Sequence, residues 1–288
     1  MKQLIINGDD FGASPSVNEG ILESHRRGIL TSTSLMVAEP AAVEAAAAAR
    51  DYPNLDVGLH LVVCKGRSVL TPLQLGLLVD ADGGFPDKPV GAGMRYFFNR
   101  RLRAALSDEF RAQIERHLEL VGYLNHIDGH LNFHVHPVLF DILLELAAEY
   151  HVPCIRLPRE PVLTTLGLSR ERAGRKIVEA VIFRTLCARS RRKMNERGLK
   201  ATDWLFGLHQ SGNLSGAYVK GVLASLPDNS TTEIYFHPAL APAGRVSAAQ
   251  REVEILTDPE LAGIVSRDGI RLTTYGALAG VSQRSDAA

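Results

Sequence analysis

Short β-branched runs alternate with longer helical ones along most of this chain, and that alternation limits the fold more than any other feature. "QLIIN" (3–7) reads as a first strand, followed by a helix in "SVNEGILESHRRG", with Ser14 or Ser16 as N-cap and Gly28 as stop. "TSTSLMV" (31–37) is a second β-branched run, and "PAAVEAAAAAR" is strongly helical by propensity. "LDVGLHLVV", "NHIDGH", "VPCIRLP", "DWLFGL", "TEIYFH" and "IRLTTY" continue the strand series, with amphipathic helices between most of them. Strand and helix in strict alternation require crossover connections, hence a parallel sheet with helices outside. About seven or eight such units in 288 residues predict an α/β fold, an irregular TIM-like (β/α) barrel, with an open doubly wound sheet as the alternative. No linker or internal repeat divides residues 1–288, so one domain is expected. Residues 64–98, rich in Gly and Pro with little period, are expected to be a long loop or lid, and 276–288 a flexible tail.

The charge balance removes several function classes. Lys plus Arg and Asp plus Glu both count 32, which leaves no general basic surface for nucleic acid. Three scattered cysteines, Cys64, Cys154 and Cys187, make no disulfide framework and no C-x-x-C pair, so a reducing compartment is expected. No apolar run approaches the ~18 residues of a membrane span. "LIIN" is too short for a signal-peptide core and runs straight into acids. The expectation is a cytoplasmic protein, with contact at the inner face of the membrane left open. The basic stretch from Ser169 to Arg197 mixes Arg and Lys with Ile177, Val178, Val181, Ile182, Phe183 and Leu186. It reads either as an ordinary barrel helix with a solvated basic face or as a helix lying on an anionic surface.

In a parallel barrel the chemistry sits at the C-terminal ends of the strands. Here the first strand ends in Asp9-Asp10, the third carries His60, the fourth ends in "HIDGHLNFHVHP" with His126, Asp128, His130, His134 and His136, and the seventh carries Glu233 and ends in His237. Taken singly, paired acids after a strand also serve as a helix cap, and a histidine in an apolar strand is often a satisfied core residue. Together, carboxylates and imidazoles aimed at one mouth suit a divalent metal with open positions for water and substrate. Such a metal acidifies bound water and polarises a carbonyl. A second acid beside the first can take a proton, and a separate histidine can give one.

The stretches "NGDDFG", "GLHL", H-x-D-x-H-x-x-x-H-x-x-P (126–137) and "EIYFHP" resemble those of the YdjC-type carbohydrate deacetylases, in the same order and over nearly the whole chain. The resemblance implies an irregular (β/α) barrel and metal-dependent removal of an N-acetyl group from an amino sugar. Carried over position by position, it implies Asp9 as general base and Asp10, His60 and His130 as metal ligands. His237 becomes the acid or an oxyanion partner. His134 falls in the pocket, either on the substrate side or behind the ligands, with Glu233 on the substrate side as an orienter. Independently of the resemblance, Arg156 and Arg159 flank "LP" after the fifth strand, where they either contact substrate or make a structural ion pair. The implied cofactor is one divalent ion, zinc or magnesium; two imidazoles and a carboxylate favour zinc. A homodimer is implied as well. "TSTSLMV", "GLHLVVCKG", "IRLPREP" and "LFGLHQSGNLSG" further resemble the branch associated with hopanoid biosynthesis, which implies an N-acetylglucosamine head group on a hopanoid lipid. Leu131 and Asn132 depart from relatives, which often carry a basic or histidine residue there.

Other readings stay open: a deacetylase of soluble chito-oligosaccharides, a metal-dependent phosphoesterase or amidohydrolase, and a non-catalytic sugar- or lipid-binding barrel. An amidohydrolase would carry H-x-H on its first strand, where this chain has two acids. No G-x-S-x-G elbow and no Gly-rich phosphate loop occurs.

Overall fold

The computed structural model describes residues 1–241 and 247–281. Eight parallel strands form one sheet: β1 Lys2–Phe11, β2 Ser32–Leu35, β3 Asp56–Leu61, β4 His126–Gly129, β5 Cys154–Ile155, β6 Trp204–Phe206, β7 Thr231–Phe236 and β8 Ile270–Leu272. Seven run in the order β5-β4-β3-β2-β1-β7-β6 and curl into a half-barrel, in keeping with an irregular TIM-like barrel. β8 pairs with the first residues of β1, Lys2–Leu4, while β2 takes Asn7–Phe11. The two edge strands approach each other at a seam. There Ile155 N donates to Lys200 O at 3.0 Å and Leu205 N donates to Arg159 O at 3.1 Å.

Both faces of these strands are covered, so side-chain parity sorts core from site. On β1, Leu4 and Ile6 face outward into the main core with Ile21 and Leu30, while Ile5 faces inward and packs with Cys154 and Tyr275. Above that small apolar floor the inward positions are polar: Asn7 and Asp9 on β1, Ser34 on β2, His60 on β3, His126 and Asp128 on β4, Glu233 on β7, all buried. Gly58 is the exception that the packing requires. A Cβ there would meet the His126 ring at 2.2 Å.

Helices form where the expected punctuation lies. Ser14 Oγ accepts from Val17 N and caps the helix Pro15–Arg27. The basic stretch becomes one helix, Ala173–Asn195. The segment 64–98 differs from the expectation of a loop: it contains a short helix, Pro72–Leu75, and a ten-residue helix, Pro89–Phe98. The latter buries only Ala92 and Tyr96, so it leaves no apolar period to read. Residues 275–279, where the tail was expected to begin, lie in a helix, Tyr275–Ala279, and Tyr275 is fully buried. Residues 282–288 of that segment lie outside the described residues. No helix of the described residues is long and apolar enough to cross a membrane.

His117, in the last turns of the helix Arg103–Val121, is fully buried and lies with Nε2 3.1 Å from Tyr123 O. Burial, reinforced by nearby His126, pushes it down to about 3 from the ordinary 6.5. Below pH 6.5 the unfolded chain therefore binds a proton at this position that the folded chain refuses, so this residue makes stability fall as pH drops from 6.5 towards 3. His117→Gln removes that difference. The stability gap between wild type and variant is expected to shrink across this window, by at most about 1.4 kcal/mol per pH unit. Urea unfolding over the same range checks it; a gap independent of pH would sink the assignment.

Candidate functional site

The paired acids at the end of β1 reach the same mouth because the strand breaks its own alternation. Asp10 has φ of 67°, and the register against β2 shifts between Gly8 and Phe11. Asp9 keeps the inward parity of Asn7, whose Nδ2 donates to it at 2.8 Å. Asp10, which a regular strand would turn to the opposite face, is instead brought round beside His60 and His130. A left-handed turn at Leu131 and Asn132, φ 57° and 54°, folds the chain after β4 so that His130 stands at the mouth. Asp10 and His130 keep partial exposure, 21% and 16% of their side chains, while His60 is sealed at 1%.

Ligand atoms from Asp10, His60 and His130 all lie within 4.8 Å of one another. Asp10 Oδ1 is 2.9 Å from His130 Nδ1 and 3.2 Å from His60 Nε2. On the other side of the ring, His60 Nδ1 donates to Asp128 Oδ1 at 2.7 Å, which leaves the Nε2 lone pair facing Asp10. That Nε2 is buried without a hydrogen-bond partner. Asp9, His60 and Asp128 also converge, but their carboxylates are already engaged by Arg156.

Arg156 is the hub beneath this mouth. Its fully buried guanidinium pairs with Asp9 through both terminal nitrogens at 2.8 Å, with Asp128 Oδ2 at 2.8 Å and with Glu233 Oε1 at 2.6 Å. The ring of Tyr235 lies 5.0 Å from it. Burial opposes charge on every member. It pushes Glu233 up to about 7 even beside the guanidinium. Burial also acts against Asp128, but the Arg156 charge and the hydrogen bond from His60 overcome it and hold this carboxyl well below its usual range. Asp10 likewise resists burial and is held low by His130 and His60. Three carboxyl groups thus share one guanidinium in a buried space, with Asp10 beside them at the mouth, an excess of negative charge that favours a cation. The charge excess and the unpartnered Nε2 together fit a divalent metal held by Asp10, His60 and His130.

Arg156, Glu233 and His134, named for the substrate side with an ion-pair alternative for Arg156 and a place behind the ligands for His134, are all buried. Arg156 and Glu233 are fully buried and satisfied by each other, by Asp9 and by the Tyr275 hydroxyl, so neither presents an atom to a ligand. His134 is 1% exposed, with Nε2 2.9 Å from Arg156 O, and therefore braces the backbone of the hub. His237 is partly exposed at the end of β7 and near enough to Asp10 for its charge to lower that carboxyl. His126 stacks on Tyr275 at 4.0 Å in the interior, and His136 stacks on Phe133 at the rim. Asp128, Asn7 and Ser34 enter the network without having been singled out for roles: Ser34 Oγ donates to Asp128 Oδ2 at 2.6 Å and accepts from Asn7 Nδ2 at 2.8 Å. Parity on "HIDGH" was the available signal for Asp128, because residues 126 and 128 share one strand face and His130 follows just past the strand's end.

Removing the hub cation should cost far more than a surface pair. Arg156→Met leaves three buried carboxyls without their counter-charge, and an unfolding free energy lower by about 3–5 kcal/mol is expected. Denaturant unfolding measures it; a change under about 1 kcal/mol would mean that the carboxyls accept protonation without loss.

The chain matches the family model described as YdjC-like protein over residues 3–267. It is 32% identical over 278 residues to a carbohydrate deacetylase of Geobacillus stearothermophilus, covering 94% of this chain and 96% of that protein. It is 30% identical over 288 residues to a carbohydrate deacetylase of Thermoanaerobacter pseudethanolicus, covering 96% of this chain and all of the relative (100%). A solved structure from Enterococcus faecalis V583, provisionally described as a cellobiose-phosphate cleavage protein, superposes with a TM-score of 0.76 at 26% identity, covering 96% of this chain and 98% of that one. Matched over nearly its whole length, the chain belongs to the YdjC-like family.

Proposed function

We propose that this protein is a metal-dependent carbohydrate deacetylase that hydrolyses the N-acetyl amide of an amino-sugar conjugate. One observation carries the reading: Asp10, His60 and His130 converge within 4.8 Å at a partly open mouth, directly beside an Asp9 carboxylate gripped by Arg156. The named relatives support the substrate class and the bond. Asp10, His60 and His130 would hold one divalent ion, with zinc preferred over magnesium for two imidazoles and a carboxylate. Bound there, it supplies Lewis acidity towards water and an amide carbonyl.

The chain's own groups supply the rest. Asp9 takes the proton from the attacking water. Its carboxylate is fixed in one orientation by two guanidinium hydrogen bonds. His237, just past the end of the neighbouring strand β7 and partly exposed, gives a proton to the leaving amine. Asp128 fixes the tautomer of His60, and Glu233 and Tyr275 hold Arg156 from behind.

The finer substrate in this reading is a hopanoid-linked N-acetylglucosamine. Its support is the sequence resemblance named above together with an apolar rim: Met94, Phe97 and Phe98 on the helix Pro89–Phe98 are 51–70% exposed, and Phe97 packs 6.2 Å from His136 next to the turn that carries His130. The three buried free thiols suit a cytoplasmic setting.

Purified enzyme should release acetate from N-acetylglucosamine conjugates and lose that activity to a chelator, with recovery on adding back zinc. Asp9→Asn is expected to lower turnover about a hundred- to ten-thousand-fold while one metal per chain is retained. His60→Ala should lose the metal as well. Full turnover in Asp9→Asn, or unchanged metal content in His60→Ala, would remove the corresponding role.

A further inference from the structure

The seam between the sheet edges holds a cavity of about 620 Å³, well apart in its lining from the candidate metal residues. It lies between residues 157–163 leaving β5, residues 204–209 at β6 and its exit, and one side of the helix Ala173–Asn195. None of Asp9, Asp10, His60, His130 and His237 lines it. Its volume is within the range of small-molecule sites, roughly 300–1,000 Å³. The walls are mainly apolar, formed by Leu157, Val162, Phe183, Trp204 and Leu208 with Leu163 at the opening, where it is 82% exposed.

The polar groups of the lining are unevenly satisfied. Glu160 is fully engaged: it accepts from Thr165 Oγ1, the Tyr218 hydroxyl and His209 N. Arg159 and Arg184 are exposed lining residues with no carboxylate partner among the described residues, and the Arg159 guanidinium rests 4.3 Å over the Trp204 ring. Arg191 donates to the Thr202 carbonyl and has no carboxylate partner among the described residues. His209 is 8% exposed. Its Nδ1 lies 3.4 Å from Glu179 Oε2, while its Nε2 is buried with no partner at all. Apolar walls favour hydrocarbon. Unpaired guanidiniums favour an anion. An oligosaccharide would leave its hydroxyls against the apolar walls, and an uncharged ligand would leave the cations without a counter-charge.

We propose that this cavity binds an amphiphile with a single apolar chain and an anionic head, phosphate or carboxylate. The chain lies along the apolar wall, and the head is held at Arg159 and Arg184. The site stands independently of the deacetylase reading.

Trp204 is the chain's one tryptophan, so its fluorescence reports on this wall. The full-length protein is titrated with dodecyl phosphate, laurate, dodecyl maltoside and inorganic phosphate, and affinities are confirmed by equilibrium dialysis. The anionic amphiphiles should saturate at one per chain below their aggregation concentrations. The maltoside should bind at least about tenfold more weakly, a difference of about 1.4 kcal/mol. The double variant Arg159→Gln/Arg184→Gln should lose about tenfold for the anionic amphiphiles and nothing for the maltoside. Ala180→Phe, which places a ring into the lining of the cavity, should weaken binding of the anionic amphiphiles at least about tenfold, with circular dichroism confirming the fold. Equal affinity for charged and neutral amphiphiles, inorganic phosphate binding as tightly as dodecyl phosphate, or no saturable binding by dialysis each overturns the proposal. A failed acetate assay leaves it untouched.

Discussion

One buried guanidinium decides the geometry of this barrel's interior. Arg156, at the end of β5, ties together Asp9 from β1, Asp128 from β4 and Glu233 from β7. These strands are distant in sequence, and no other cation lies among their inward polar side chains in the described structure. Desolvating so many charges is expensive, and attraction offsets it only where every partner is aligned. The alignment is supplied from outside the ion cluster: His134 holds the Arg156 carbonyl, Tyr275 bonds Glu233, and Asn7 and Ser34 fill the remaining positions on Asp9 and Asp128. The polar interior is therefore one cooperative network, which specifies strand order and register as well as chemistry.

The same network divides labour among four carboxyl groups of similar intrinsic acidity. Asp128 is saturated and serves to orient His60. Glu233 has no outlet and is pushed towards neutrality by burial. Asp9 is fixed but stands next to the opening, and Asp10 is the one that reaches it. Environment, more than residue type, separates these roles. The left-handed Asp10 backbone is what makes two neighbours in one strand serve a single mouth, and only a local break in the ladder permits that.

The half-barrel also explains where unassigned space remains. Six of the seven junctions along a closed ring of these seven strands are paired ladders, whereas β5 and β6 meet through isolated hydrogen bonds. A short two-residue β5 and a three-residue β6 cannot cover the adjoining helix Ala173–Asn195 as completely as longer strands would. The cavity lined by Trp204 and Phe183 occupies that gap.

Alternation of β-branched and helical runs by itself determined a parallel α/β sheet, because parallel neighbours need crossovers and crossovers need helices. The convergence of these side chains was partly legible too: Asp9, Asp10, His130 and His237 stand where apolar runs stop, and His60 interrupts one. The density of histidines in 126–136 is local information, and it marked the segment as a site without sorting its members. What needed the tertiary structure was which polar residues are open and which are sealed. Arg156, Glu233 and His134 look like ligand-facing groups in sequence, since burial depends on what other strands bring over them. The helix Pro89–Phe98 was hidden for the converse reason: it buries too few side chains to leave a period. The φ of Asp10 and the turn at Leu131 and Asn132 were likewise decided by contacts over a hundred residues apart, which no local pattern encodes.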